Sequence, residues 1–131
     1  MSSSYFRPRA FVKSLRYAGQ GLRYVIKQEQ NFRLQLMIAG LVIVALVMFS
    51  VRAIEAIALI LVIMFVLILE ILNTVLEYFI DLLQPRLHHY SKVIKDMMAA
   101  AVLLASCSAI SIGILIFIPY IRELLVSYGI L

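Results

Sequence analysis

Residues 56–69 read AIALILVIMFVLIL, fourteen apolar residues without interruption. Such a run, continued by mostly apolar sequence to Leu83, is too long for a buried strand and reads as a membrane-crossing helix. Two further segments share its character. Residues 34–51 are apolar except for Gln35 and Ser50, and residues 92–118 follow the polar loop QPRLHHYSK and end before Pro119. A helix of about 18 residues is about 27 Å long, close to a hydrocarbon core of about 30 Å. Hydrophobic residues make up 64% of a 131-residue chain, and the mean hydropathy is +1.03. That composition excludes a soluble domain of this size and predicts an all-α integral membrane protein with one domain over residues 1–131.

The connection from Arg52 to Glu55 is so short that helices 34–51 and 56–83 must be antiparallel neighbours. Pro85 is expected to end the second span and Ser91 to cap the third. Residues 11–28 differ in kind. Phe11, Leu15, Ala18, Leu22 and Val25 fall on one helical stripe, with Lys13, Arg16, Gln20, Arg23 and Lys27 opposite. That pattern fits an N-terminal amphipathic helix on the membrane surface, or a cytoplasmic helix packed on its neighbours.

The net charge is +5, and the cations are unevenly placed. Seven lie at or before Arg33, while Arg86, Lys92 and Lys95 follow the second span. Only Arg52 and Arg122 fall at the other ends. The positive-inside rule then puts the N-terminus and the 84–95 loop in the cytoplasm. The start MSSSYFRPRA does not read as a secretory signal. A basic segment beside a membrane helix suits anionic lipid headgroups better than nucleic acid. Cys107 has no partner for an internal disulfide, and His88-His89 without nearby cysteine is a solvated loop pair, not a zinc site. The tyrosines fall mostly near the expected interfaces, as an aromatic belt does.

Directly after the apolar run comes EILNTVLEYFID, residues 70–81. On a helix Glu70, Asn73, Glu77 and Asp81 share an arc of about 80°, a polar stripe about 16 Å long. An ionised acid near the bilayer centre costs at least about 2.5–3.5 kcal/mol, so such a stripe needs partners, water or cations. Glu29 at the entrance of the first span, and Lys95 and Asp96 at the start of the third, share its cytoplasmic side. Carboxylates with a lysine suit magnesium and phosphate, hence phosphoryl transfer from ATP. The same residues could instead pair with neighbouring chains to hold an oligomer. No GxxxxGK[ST] loop is present, and Gly19-Gln-Gly21 is not continued into one.

EILNTVLEYFID, followed after a polar loop by KDMMAAAV, resembles the prokaryotic diacylglycerol kinase family, which includes the undecaprenol kinases. The family's signature is E-x-x-N-[ST]-x-x-E-x-x-x-D, then A-K-D and small residues. GLRY at 21–24 and Glu29 ahead of Arg33 extend the likeness over roughly residues 13–120. The resemblance implies a homotrimer with active sites between protomers, in the bacterial inner membrane. It implies Glu70 as the base facing a lipid hydroxyl, Glu29 and Glu77 as magnesium ligands, and Asn73, Lys95 and Asp96 as nucleotide contacts supported by Asp81. The substrate would be diacylglycerol or undecaprenol, and NFR at 31–33 is similar to the undecaprenol branch. The chain departs from the pattern at Val93, Ile94, Met97 and Met98, and Gln35 stands where some members carry an acid. A bulky Met98 could narrow the nucleotide pocket. Two other readings stay open: a small proton-coupled transporter, whose acids would need access from both sides, and a catalytically inactive structural trimer.

Overall fold

A computed structural model describes residues 8–87 and 90–130, so His88, His89, Arg7 and Tyr5 lie outside the described residues. The described chain is helical throughout and contains no strand. The helices are α1 (Pro8–Gln28), α2 (Gln30–Met48), α3 (Ala53–Leu87) and α4 (Ser91–Ser127). Gln30–Met48, Ala53–Leu83 and Ser91–Ser127 are each long and apolar enough to cross a membrane.

The helix boundaries differ from those expected, for identifiable reasons. Glu29 adopts an extended backbone (φ −96°, ψ 116°), which separates α1 from α2 and brings Asn31–Arg33 into the first turn of α2. At its other end α2 stops at Met48, short of residue 51. Ser50 takes a left-handed φ of 48°. Its N–H reaches the Val47 carbonyl, and the Val51 N–H reaches that of Leu46. This pair of bonds closes a helix C-terminus around a left-handed residue, a place where glycine is usual. The end of α4 repeats the motif with glycine. There Gly129 has φ 67°, and the bonds run from Gly129 to Val126 and from Ile130 to Leu125. Ser50→Gly should therefore stabilise the fold by up to about 1 kcal/mol, because the left-handed backbone strains any residue with a Cβ. The unfolding temperature in detergent would rise.

Neither proline ends its helix. Pro85 lacks only the N–H that would reach the Asp81 carbonyl, a loss confined to the last turn, and α3 continues to Leu87. Pro119 lies inside α4, which runs on to Ser127 and stops at the Gly129 motif. Ser91 does not cap α4. Tyr90 occupies that position without a side-chain capping bond, and Ser91 is a buried residue of the first turn.

The interior follows a seven-residue period. Phe32, Ala39 and Leu46 are buried on α2, and Leu59, Val66 and Ile80 on α3. That spacing is the one of left-handed helix packing. Helix α3 packs on both α2 and α4, and α1 packs on α2. Elsewhere the spans carry large exposed side chains, among them Leu41, Val47, Leu61 and Leu115. Aliphatic surface on that scale needs lipid or other protein around it.

The α2–α3 turn is tied to α4 by polar groups far from the expected site. The Tyr120 hydroxyl donates to Glu55 Oε2 at 2.5 Å and accepts from the Arg52 N–H at 3.1 Å. The Arg52 guanidinium pairs with the other oxygen of Glu55, and Phe49 meets Phe117 edge-on with ring centres 5.9 Å apart. Tyr120 thus does more than sit at an interface. Tyr120→Phe should lower the unfolding temperature by a few degrees and leave the end of the bundle that holds Glu29 unaffected, because the tie lies at the opposite end.

Candidate active site

Helix α3 continues its buried line, Leu59 and Val66, directly into Glu70 and Thr74. Glu70 is only 3% exposed, so a carboxyl occupies a position that the helix's packing otherwise gives to aliphatic side chains. Thr74 satisfies itself by donating from Oγ1 to the Glu70 carbonyl oxygen at 3.0 Å. The Glu70 carboxylate is held from α2, where Gln35 Nε2 donates to Glu70 Oε2 at 3.1 Å. Glu29 and Glu77 both lie close enough to act on Glu70 electrostatically.

The rest of the stripe follows at one-turn intervals. Asn73 Nδ2 donates to Glu77 Oε1 at 2.9 Å, an i,i+4 contact along α3. The Asn73 Oδ1 atom is buried without a hydrogen-bond partner among the described residues. One turn on, Lys95 of α4 pairs with Asp81 at 2.5 Å, which holds its ammonium against the stripe. Asp96 is exposed and takes part in none of these pairs. Met98 is half-buried on α4, and Met97 is exposed.

Glu29 caps α2 by position, but its side chain makes no capping bond. Nor does Arg33 neutralise it. The Arg33 guanidinium donates instead to the Ile26 and Lys27 carbonyls at 3.2 and 2.9 Å, satisfying the open end of α1. The Glu29 carboxylate is thereby left without an ion pair among the described residues. Helix α1 is also fastened to α3, where the Tyr24 hydroxyl donates to that of Tyr78 at 3.3 Å.

Of the expected residues, Glu29, Glu70 and Glu77 are brought together, with Asn73 on Glu77 and Lys95 on Asp81. The sequence marked Gln35 as a departure from the family pattern, Thr74 as part of its signature and Tyr24 within GLRY, but gave none of them a partner. Gln35 had a signal, since it is the one polar residue of the apolar run 34–49. Among the described residues, no three acids, histidines or cysteines converge as a complete metal cage. The donors present nevertheless fit a cation that brings ligands of its own. Among the described residues, Glu29 has no ion pair, Glu77 is engaged by a neutral amide alone, and the Asn73 side-chain oxygen has no partner.

The fold and this stripe define a small helical membrane protein with three candidate spans and a carboxyl buried at its centre. Residues 16–117 match the prokaryotic diacylglycerol kinase family, and the chain belongs to it. It is 37% identical over 114 residues to a diacylglycerol kinase of Synechocystis, covering 86% of this chain and 65% of that protein. The chain thus spans just under two thirds of that relative's length. It is 33% identical over 109 residues to the undecaprenol kinase of Bacillus subtilis, covering 83% of this chain and 89% of that one. With the diacylglycerol kinase of Escherichia coli K12 it shares 35% identity over 99 residues, 76% of this chain and 81% of the relative. No solved structure matches the chain.

Proposed function

We propose that the protein phosphorylates a membrane lipid alcohol, diacylglycerol or undecaprenol, with ATP and magnesium. The observation that carries this reading is a carboxyl 3% exposed in an apolar helix, with two further acids acting on it. A buried acid of that kind is a candidate base, and its neighbours are suited to phosphate and metal. Glu70 takes the proton of the lipid hydroxyl. The hydroxyl oxygen forms its bond to the γ-phosphorus as the bond from that phosphorus to the bridging oxygen breaks, and ADP leaves.

Glu29 and Glu77 would hold magnesium together with the nucleotide phosphates, the usual arrangement for that ion. When bound, the metal neutralises charge on the phosphates. Lys95 offers a point charge to phosphate, oriented by Asp81. Asn73 and Asp96 complete the nucleotide contacts. The sites lie between the protomers of a homotrimer in the bacterial inner membrane, with α1 on the cytoplasmic surface. The exposed apolar residues Leu15 and Leu22 of α1 suit that surface. The motif NFR at 31–33 favours undecaprenol over diacylglycerol.

Transfer of labelled γ-phosphate in mixed micelles tests the reading, with each lipid offered separately. A magnesium-dependent labelled lipid is expected from one of them. No product from either would remove the kinase reading.

A further inference from the structure

Gln35 is a polar side chain inside an otherwise apolar stretch of span, and only one end of its amide is engaged. Its Nε2 donates to Glu70, while its Oε1 is buried with no hydrogen-bond partner among the described residues. Beside it lies an almost wholly apolar cavity of about 110 Å³, bounded also by Ala39, Val66, Leu67, Ser106 and Ile110. We propose that Gln35 is the positioning residue of the site, an amide that hydrogen-bonds Glu70 in both of its protonation states. This inference rests on the reading of Glu70 as the base.

The chemistry follows from what a base must do. As a carboxylate Glu70 only accepts hydrogen bonds, and once it holds the lipid's proton it must also donate one. In a buried site, water is not at hand to exchange the partners. A cation would serve the carboxylate alone, and an aliphatic neighbour would serve neither form. A primary amide serves both through a half-turn of its terminal torsion, which is broad and roughly two-fold. Nε2 then holds the carboxylate, and the unpartnered Oε1 receives the O–H of the acid. The cavity beside Gln35 gives the amide room to turn.

Among the described residues, Gln35 is the side chain within hydrogen-bond distance of the Glu70 carboxylate. The charged groups acting on Glu70 are Glu29 at the head of α2 and Glu77 on α3, both acids. Asn31, one turn before Gln35, is a second amide that favours the charged carboxyl, but it is exposed and stands farther off than Gln35. Helix α4 faces the cavity with Ser106, Ala109 and Ile110, none of them charged.

The test compares Gln35→Met, Gln35→Lys and Gln35→His with the unaltered protein and Glu70→Gln. Methionine has similar length and no hydrogen on a heteroatom, lysine only donates, and neutral histidine both donates and accepts. The Met and Lys variants should lose about ten- to a hundredfold in kcat, the scale of a lost bond to a buried ionisable group. Their KM for lipid, and their magnesium-dependent binding of a non-hydrolysable ATP analogue, should not change. The His variant should stay within a few fold of the unaltered protein. Gln35 as mere packing predicts the reverse order, with Met tolerated best. Full kcat in Gln35→Met, or a loss in Gln35→His as large as in Met, would overturn the inference. The base reading fails separately, if Glu70→Gln itself turns over.

Discussion

Glu70→Gln should abolish labelled phosphate transfer, by at least about 10²–10⁴-fold, while the protein stays folded and binds nucleotide. The lower bound is the usual worth of a general base. The replacement keeps the size of the side chain and can still hydrogen-bond Gln35, but it cannot accept the proton. Stability should be unchanged or higher, and this sign separates a catalytic role from a structural one. Glu70 is 3% exposed, and holding a charge in so buried a place is costly. A neutral amide removes that cost. An acid kept in such a place at the expense of stability is what a functional site looks like. Thermal unfolding in detergent beside the transfer assay decides the matter. A clear loss of stability with retained transfer would make Glu70 a structural residue and remove it as the base.

Much of this was legible in the sequence, because membrane helices leave few alternatives. The apolar runs specified three spans, and the wheel of EILNTVLEYFID placed its acids on one face. What was not legible lay between helices or depended on helix ends. Pro85 and Pro119 resemble stop signals, yet each removes a single N–H, and a left-handed residue with its two closing bonds sets the end of α4. Arg33 stands four residues after Glu29, a spacing at which opposite charges on one helix can pair. The break at Glu29 instead leaves the end of α1 with open carbonyls, and these capture the guanidinium. Periodicity along one helix cannot show that competition. Nor can it show that Gln35 meets Glu70, a contact between residues 35 positions apart.

The structure also orders the acids by environment. Glu70 is buried, Glu77 half-buried and Asp81 exposed and paired with Lys95. Along one stripe, the acid farthest from solvent is suited to a proton, the middle one to a metal, and the outer one to holding a cation. Spacing on a helical wheel gives these residues equal standing, and burial separates them.

Glu77→Gln and Glu29→Gln should each weaken magnesium-dependent binding of a non-hydrolysable ATP analogue by about tenfold or more. Each substitution removes one anionic oxygen from a cation that prefers carboxylate and phosphate oxygens. Combined, they should cost less than the sum of the two, since groups that share one partner are not independent. The informative control omits the metal. Free ATP meets Glu29 and Glu77 as like charges, so without magnesium either substitution should leave analogue binding unchanged or improve it. Lys95→Met should weaken binding under both conditions, because its ammonium acts on phosphate directly. Titration calorimetry of the detergent-solubilised protein, with magnesium and with chelator, reads all of these. If the Glu77 variant lost affinity equally in both conditions, the carboxylate would be shaping the pocket without holding a cation. A sign that changes with the metal is the result expected of a ligand.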